Sequence, residues 1–314
     1  MSRIITLTLS PCIDRSMSVP KLVPEKKLKC SAPKLEPGGG GINVARAIKK
    51  LGGDAIAIYP AGGYTGKHFN SLLENEEVPV VIIEAKNETR ENIIVLDESA
   101  NVQYRFGTPG SVLQDSEWKK MLEAVEGMTA VNNFEFIVAS GSLPPGVPVD
   151  IYGQLAVIAK KKKTKLVVDT SGEALKYAAH EGVYMLKPNL GELGALIGAD
   201  WIELEDVEKI GKQLIEERCC EILVVSMGKD GAKLITKNDS YHFLSPVVKR
   251  NSVVGAGDSM VAGIVLALSR EKNLKDALKY GVACGTAATM NQGTELCRKE
   301  DADKLFKNLI ETIN

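Results

Sequence analysis

Asn251-Ser252-Val253-Val254-Gly255-Ala256-Gly257-Asp258-Ser259-Met260 combines a small-residue turn with the beginning of an apolar helix. The helix is predicted by apolar residues spaced i, i+3, i+4 and i+7, namely Val261, Ile264, Val265 and Leu268. Glycines let the backbone approach a ligand closely, and the first N–H groups of a helix have no partner within it. The stretch therefore predicts an anion-binding helix start, because the free donors and the helix dipole both favour negative charge.

Asp258 adds a carboxylate to this helix start. It follows Gly257 directly, so we expect it beside the bound anion. There it could accept a proton from a hydroxyl group while the N–H groups stabilise charge on a phosphoryl group in transfer. The alternative interpretation is an ordinary first-turn acid that only the helix dipole favours. This stretch alone leaves both interpretations open.

A second glycine-rich helix start lies nearer the N-terminus, in Pro37-Gly38-Gly39-Gly40-Gly41-Ile42-Asn43. A flexible linker would continue into polar residues, but an apolar helical face follows here, made of Val44, Ala47, Ile48 and Leu51. The glycines are therefore expected where a ligand lies against the backbone. Asn43, in the first turn, offers both donors and an acceptor, which suits sugar hydroxyls.

Composition excludes several classes of protein. The 314 residues could form one large α/β domain or two smaller ones. A net charge of −1 argues against a nucleic-acid partner. No run reaches the ~18 apolar residues that cross a bilayer, and the strand-like N-terminus lacks the apolar segment of a signal peptide. The six cysteines show no zinc spacing and are expected to be reduced thiols. We expect a cytoplasmic protein with no membrane partner.

Short apolar runs alternate with helical patterns along most of the chain, which predicts an α/β fold. Polar residues follow several predicted strands: Asp14 follows the first, Lys187, Asn189 and Glu192 follow 183–186, and Ser226, Gly228 and Gly231 end or follow 222–226. Ligands bind at the carboxyl ends of the strands in open α/β sheets. These residues are therefore expected to share one ligand-binding edge.

The segment from Glu91 to Phe106 differs from the rest of the chain. Alternating residues around a polar turn predict an antiparallel hairpin that leaves the main sheet. Arg90 and Arg105 lie at its two ends, and arginine is suited to binding phosphate with two parallel hydrogen bonds. Either arginine could equally be a solvated surface residue.

Together, a helix start with a sugar-suited Asn and another with an anion site and an acid indicate phosphoryl transfer from a nucleotide to a hydroxyl group. Two other classes compete with this interpretation. A dinucleotide-binding oxidoreductase would share the alternation of strands and helices, but Gly255-x-Gly257 lacks a third glycine at Met260. A non-catalytic sugar-phosphate-binding protein would not need Asp258.

The segments 38–46 and 254–259 resemble the two signature regions of the ribokinase-like (PfkB) carbohydrate kinases, and the resemblance extends over the whole chain. It is closest to the minor bacterial type of ATP-dependent 6-phosphofructokinase, with which 6–9, 171–175 and 291–294 also agree. The resemblance implies a three-layer α/β/α fold with a mostly parallel central sheet and a small β-sheet lid. The core would comprise residues 1–15, 36–90 and 108–314, and the lid residues 16–35 and 91–107. In this family the lid often pairs between subunits to make a homodimer.

The same resemblance implies functions for particular residues. Asp258 would be the base, beside an anion hole formed by Gly255, Ala256 and Gly257. The sugar hydroxyls would be held by Asp14, Gly38, Gly39 and Asn43. The sugar's phosphate would be held by Arg90 and Ser140, with Arg105 as a further candidate. ATP would be bound by Lys27, Lys187, Asn189, Ser226, Gly228 and Gly231. Glu192 would orient Mg²⁺ through water, and a monovalent cation, typically K⁺, would be enclosed by loops that contain Ser252, Val254, Asn291 and Gly293.

The implied reaction is the ATP-dependent conversion of D-fructose 6-phosphate to fructose 1,6-bisphosphate. Related kinases act on tagatose 6-phosphate or fructose 1-phosphate with nearly the same motifs. Relatives that act on fructose 1-phosphate usually carry lysine where this chain has Gly40, which favours fructose 6-phosphate. Tagatose 6-phosphate, an epimer at one hydroxyl, stays an alternative.

Overall fold

The computed structural model describes residues 4–131 and 133–310. The strands are β1 (Ile4–Leu7), β2 (Cys12–Val19), β3 (Lys34–Gly38), β4 (Ile56–Ala61), β5 (Val80–Glu84), β6 (Arg90–Asp97), β7 (Val102–Phe106), β8 (Phe136–Ser140), β9 (Lys165–Asp169), β10 (Val183–Leu186), β11 (Cys220–Ser226), β12 (Ala232–Ile235) and β13 (Ser240–Phe243). The α-helices are α1 (Gly40–Lys50), α2 (Gly63–Asn75), α3 (Asp115–Val131), α4 (Ile151–Lys162), α5 (Gly172–Glu181), α6 (Leu190–Ile197), α7 (Val207–Glu216), α8 (Ala256–Ser269), α9 (Leu274–Thr289) and α10 (Lys299–Asn308).

A nine-stranded sheet occupies the centre of the structure, in the order β13-β12-β11-β10-β9-β8-β1-β4-β5. Its strands are parallel except for β12 and β13, which add an antiparallel edge. The predicted strands 183–186 and 222–226 are confirmed as β10 and β11, the latter beginning at Cys220. The run Ile222–Val225 is buried throughout, which is typical of a parallel strand covered on both faces.

Helices cover both faces of this sheet and create two apolar clusters. Side chains alternate between the faces along each strand, so Ile4 of β1 packs into one cluster and Ile5 into the other. Helices α1, α8 and α9 contribute to the first cluster, and α3, α4 and α5 to the second. The predicted three-layer α/β/α architecture is confirmed.

The glycine-opened helix α8 lies deep in the first cluster. Its middle residues are buried because α9 packs closely against it. At Gly263 an added Cβ would lie 2.8 Å from Cys284 Sγ, so the absence of a side chain permits this close approach. Helix α8 thus packs mainly between α1 on one side and α9 on the other.

A separate four-stranded sheet, which we call the lid, has the order β3-β2-β6-β7. Its β6–β7 pair is antiparallel and lies outside the main sheet, as predicted for the segment from Glu91 to Phe106. Strand β2 begins at Cys12 and β3 ends at Gly38, so Asp14 and Gly38 both lie on lid strands. The division of the chain at 16–35 and 91–107 stays a prediction.

Among residues 4–131 and 133–310, no helix combines the length and the apolar character needed to traverse a lipid bilayer.

Candidate active site

The start of α8 has the geometry of an anion site. Gly255 has a φ of 73°, a left-handed conformation that glycine adopts without strain, and an added side chain would also collide with Leu296. The N–H groups of the first turn, which includes Gly257, therefore point out of the helix end with the positive end of its dipole.

Asp258 lies in this first turn and is half-buried. Burial raises the pKa of its carboxyl group to about 7, and the negative charge of Asp169 adds to this effect. The hydrogen bond from Asn43 and the positive charge of Lys187 oppose it. A carboxyl group with a pKa near neutral pH can act as a general base, because it is ionised often enough and still takes up a proton.

The two glycine-rich helix starts meet at this carboxylate. Asn43 lies in the first turn of α1 and donates a hydrogen bond from Nδ2 to Asp258 Oδ2 over 2.9 Å. Within the lid, glycine also permits a close approach: at Gly38 of β3 an added Cβ would lie 2.5 Å from Asp14 Oδ2 of β2. The charge of Asp14 also raises the pKa of Asp258, so Asp14, Asn43 and Asp258 lie near one another where α1, α8 and the lid meet.

Asp14 is buried on β2, and burial raises the pKa of its carboxyl group. Asn92, on the neighbouring strand β6, donates from Nδ2 to Asp14 Oδ1 over 3.0 Å and fixes the orientation of the carboxyl group. Sequence reasoning missed Asn92, because only the parallel pairing of β2 with β6 brings it there. Gly39 has a φ of 111°, a conformation that glycine adopts without strain, and an added Cβ would lie 2.8 Å from the Thr8 side chain.

Arg90 is the first residue of β6 and Ser140 is the last of β8. The charge of Arg90 lowers the pKa of Asp14, which places the guanidinium near that carboxyl group. Arg90 donates from Nη1 to Thr108 O (2.8 Å) and from Nη2 to Ser10 O (3.2 Å), while its buried Nε has no hydrogen-bond partner among the described residues. Ser140 is buried against Gly40. Arg105, in contrast, is exposed on β7, and its use as a phosphate ligand stays a prediction.

Lys187 lies on the other side of Asp258. It is buried directly after β10, and its Nζ is 3.0 Å from Asp169 Oδ1. Burial lowers the pKa of Lys187, but the Asp169 carboxylate outweighs this, so the net direction is upward. An added Cβ at Gly257 would lie 3.6 Å from Lys187 Nζ, which places the ammonium group beside the anion site. Sequence reasoning missed Asp169, although its place at the carboxyl end of β9 follows the same rule that selected Lys187.

A cavity of about 200 Å³ opens next to the start of α8. Three residues predicted to bind ATP line it, namely Ser226, Gly228 and Gly231. Its wall also includes residues that the sequence did not indicate, among them Ser245, Arg250, Thr286 and Thr289. The two threonines are spaced i, i+3 on α9, a signal that only becomes informative once α9 is known to pack beside α8.

Asn189 and Glu192 form a reciprocal cap at the start of α6. The Asn189 side chain accepts from Glu192 N (2.9 Å), and Glu192 Oε2 accepts from Asn189 N (2.8 Å). Burial raises the pKa of Glu192. The cap holds Glu192 near Lys187 and Asp169, both of which affect its pKa. Lys27, by comparison, is exposed in the loop between β2 and β3, and its contact with ATP stays a prediction.

The loops expected to enclose a monovalent cation lie side by side before α8 and after α9. Ser252 donates from Oγ to Gly293 O over 2.9 Å, and Asn291 donates from Nδ2 to Leu296 O over 2.7 Å. Val254 N donates to Ser252 Oγ over 3.2 Å. The neighbouring Thr294 Oγ1 is buried without a hydrogen-bond partner among the described residues. Buried oxygens of this kind suit a hard monovalent cation.

The fold and the site together define a class: an α/β protein with a β lid, in which a carboxylate at a glycine-opened helix start lies near polar residues of a second helix start and of the lid. The chain belongs to the pfkB family of carbohydrate kinases, whose model matches residues 6–301.

The chain is also similar in sequence to individual phosphofructokinases. The chain is 44% identical over 310 residues to the ATP-dependent 6-phosphofructokinase isozyme 2 of Escherichia coli K12, covering 98% of this chain and 99% of that one. It is 32% identical over 294 residues to the 1-phosphofructokinase of Bacillus subtilis, covering 93% and 95%.

Comparison with solved structures supports the same fold. The phosphofructokinase-2 of Escherichia coli in complex with potassium has a TM-score of 0.92 and 44% identity, with 98% of this chain and 99% of that one covered. A ribokinase of Thermotoga maritima, 21% identical, covers 98% and 100% with a TM-score of 0.75 and shows the ribokinase-like fold alone.

Proposed function

We propose that this chain transfers the terminal phosphoryl group of ATP to a hydroxyl group of D-fructose 6-phosphate, producing fructose 1,6-bisphosphate. The observation that carries the proposal is the contact of Asn43 with Asp258, because it joins a sugar-suited pocket to a base at an anion site. The identity of 44% to a 6-phosphofructokinase supports the choice of reaction.

In this mechanism Asp258 takes the proton of the sugar hydroxyl. The raised pKa of about 7 leaves the carboxylate partly ionised at neutral pH and basic enough to accept that proton. Asp14 and Asn43 hold neighbouring hydroxyls, and Arg90 offers its guanidinium to the sugar's phosphate. Positioning of this kind supplies a large part of the rate in phosphoryl transfer.

On the side of Asp258 away from the sugar, N–H groups and a positive charge stabilise the phosphoryl group that is transferred. The free N–H groups of the α8 start and the ammonium of Lys187 both lie where the phosphoryl group would pass. The cavity of about 200 Å³ beside α8 would take part of the nucleotide. Because Lys187 is held by Asp169, its position needs little rearrangement when ATP binds.

Two metal ions fit the residues present. Mg²⁺ prefers oxygen ligands and retains water, and Glu192 keeps one carboxylate oxygen outside the helix cap for such a water. The carbonyl and hydroxyl oxygens around Ser252, Val254, Asn291 and Gly293 suit K⁺, and the unpaired Thr294 Oγ1 adds a further oxygen nearby. When bound, these ions would neutralise phosphate charge and order the loop that precedes α8.

The choice among phosphosugars is supported by the packing at Gly40. An added Cβ at this position would lie 2.6 Å from the backbone carbon of Ser140 and 2.7 Å from Gly141 N. A lysine, as expected in fructose 1-phosphate kinases, would therefore require the β8 end to move. The proposal keeps tagatose 6-phosphate as the second candidate, because one hydroxyl distinguishes it.

The test is ADP release coupled to a reporter enzyme, with fructose 6-phosphate, tagatose 6-phosphate and fructose 1-phosphate compared by kcat/KM. We expect the highest value for fructose 6-phosphate. A higher value for another sugar would move the assignment to that sugar, and absence of ADP release with all three would refute a sugar-phosphate kinase.

We further infer a homodimer that forms through the lid, in a cytoplasmic enzyme. The exposed face of β6 and β7 carries large apolar side chains, including Ile93, Val102, Tyr104 and Phe106. An apolar sheet face of this kind is typical of an association surface. Light scattering should give the mass of two chains, and Phe106→Glu should shift it towards one. An unchanged mass in that variant would contradict association through this face.

A further inference from the structure

Arg46 is one of the most completely buried charged residues among those described, with an exposure of 1%. It lies in α1, one turn after Asn43. A buried guanidinium is costly unless it is paired and hydrogen-bonded. Arg46 meets this requirement with a bidentate ion pair to Glu76. It donates from Nε to Oε2 (2.9 Å) and from Nη2 to Oε1 (2.6 Å).

The remaining nitrogen, Nη1, points towards the active site rather than towards Glu76. Three oxygens surround it: Pro37 O at 2.6 Å, Thr294 O at 3.2 Å and Asn43 Oδ1 at 3.4 Å. These oxygens belong to the start of the glycine run, to the loop after α9 and to the side chain that contacts Asp258.

We propose that Arg46 is a positioning residue for phosphoryl transfer: it holds the Asn43 amide in the orientation that donates to Asp258. The proposal rests on the kinase function proposed above. Arg46 does not touch the reacting atoms and acts on them only through Asn43.

The chemistry of the three side chains fixes this orientation. Arginine has only donors, an ionised carboxylate has only acceptors, and a primary amide has one end of each kind. With Arg46 on one side of Asn43 and Asp258 on the other, the amide oxygen must face Arg46 and the NH₂ group must face Asp258. The reversed amide would place two donors together at Arg46 and two acceptors together at Asp258.

A second set of contacts connects Arg46 with the lid and with the loop after α9. Glu36, buried on the lid strand β3, accepts from Thr294 N over 3.1 Å and lies 3.9 Å from Arg46 Nη2. The guanidinium thus ties the lid, the loop after α9 and α1 to one another. Removal of its Nη1 contacts would release the Asn43 amide without disturbing ATP contacts on the other side of α8.

Other charges near the site must stay constant in the test. Asp258 is influenced by Asp14 on β2, Asp169 at the end of β9 and Lys187 after β10. Arg46 faces Glu36 and Glu76, and Glu36 also pairs with Lys34 at 3.0 Å. Arg46→Lys keeps the positive charge in place, but its single ammonium group cannot serve both Glu76 and Asn43.

The experiment is a double-mutant cycle on Arg46→Lys and Asn43→Ala, with kcat/KM for the phosphosugar as the readout and single-turnover kinetics for slow variants. In the chain with Asn43 we expect Arg46→Lys to cost about tenfold, equivalent to ~1.4 kcal/mol, at unchanged KM for ATP. The acid limb of the pH profile should also move upward, because the amide no longer favours the ionised form of Asp258. In the Asn43→Ala background the same change should cost less than about twofold.

Equal losses in the two backgrounds would overturn the proposal and leave Arg46 with a structural function only. The matched control is Glu76→Gln, which weakens the ion pair of Arg46 with Glu76 at a residue that does not contact Asn43. It should lower the melting temperature as Arg46→Lys does, yet leave kcat/KM and the pH profile unchanged. If Arg46→Lys does not fold, the double variant Arg46→Gln/Glu76→Gln takes its place in the cycle, because it removes the guanidinium while the summed charge of the pair stays zero. If the chain prefers a sugar other than fructose 6-phosphate, the cycle is run with that sugar, so the two proposals fail separately.

Discussion

The side-chain amide of Asn43 lies 2.9 Å from Oδ2 of Asp258, although 215 positions separate the two residues in the chain. The contact joins the first turn of α1 to the first turn of α8. The two glycine-rich stretches therefore form one site, with the sugar pocket and the anion site on either side of a single carboxylate.

Asp258→Asn should remove the base and lower kcat on the order of 10²- to 10⁴-fold, while ATP affinity changes little. Coupled ADP release and ATP titration measure the two quantities. Asp276→Asn is the matched control, because Asp276 also lies in the first turn of a helix, α9, but away from the site. A turnover close to that of the unmodified chain in Asp258→Asn would refute the assignment of the base.

The raised pKa of Asp258 predicts a specific pH dependence of the reaction. The carboxylate must be ionised to accept the proton, so kcat/KM should rise with pH and level off above about 7. Initial rates at saturating ATP check this. A profile that is flat between about pH 6 and pH 8 would show that this carboxyl group does not limit proton transfer.

The same raised pKa predicts that Asp258 destabilises the folded chain at alkaline pH. The folded group holds its proton up to about pH 7, whereas in the unfolded chain the ordinary pKa is 3.8. Between these values the folded state binds more protons, so the free energy of unfolding falls as pH rises. Asp258→Asn should therefore raise the free energy of unfolding at pH above about 7, and the gain should vanish towards about pH 4.

Asp97→Asn should change the pH dependence of the free energy of unfolding in the opposite direction. Hydrogen bonds, first of all from Leu22 N at 3.0 Å, lower the pKa of Asp97, so its stabilisation is present at neutral pH and lost in acid. Denaturant titrations at several pH values should show the two variants diverging in opposite directions. Parallel changes would contradict the assigned environment of Asp258.

Gly38→Ala should damage the sugar side of the site. The new Cβ would lie 2.5 Å from Asp14 Oδ2 and must push that carboxylate away. We expect kcat/KM for the phosphosugar to fall by about 10- to 100-fold, with KM for ATP nearly unchanged.

Gly127→Ala is the control for the Gly38 substitution, because nothing lies within 4 Å of the Cβ it would add in α3. It should keep full activity and stabilise the chain by up to ~1 kcal/mol. Equal kinetic behaviour of the two variants would mean that Gly38 is not a close-approach position for the substrate.

Lys187→Met should lower kcat by about 10²- to 10³-fold, because it removes a positive charge next to the anion site. Lys165→Met is a suitable control: Lys165 also pairs with a carboxylate, Glu135 at 3.3 Å, but at the start of β9 and thus at the opposite edge of the sheet. A loss of stability without a loss of kcat in Lys187→Met would show that the lysine only neutralises Asp169.

Much of the fold could be read from local patterns. Buried parallel strands leave continuous apolar runs such as Ile222–Val225, and a helix that follows glycines leaves a periodic apolar face, as after Gly41 and Gly257. The hairpin around residues 98–101 was likewise visible from its alternation. These signals are local because backbone conformation and the burial of one face depend on neighbouring residues.

The partners of the site residues could not be predicted in the same way. Asn92 reaches Asp14, and Asp169 reaches Lys187, only through the pairing of strands that are distant in sequence. No sequence pattern indicated that Arg46 is buried. An arginine within an apolar helix pattern can be solvated, or it can be surrounded as here by Glu76, Pro37 and Thr294.

By itself, the sequence determined the class of fold, the two glycine-opened helices and the identity of the carboxylate, because each depends on residues adjacent in the chain. Only the tertiary structure decided which side chains face that carboxylate and how far its pKa rises. Those properties depend on burial and on charges within a few ångströms, and such distances are set by how sheet, lid and helices pack together.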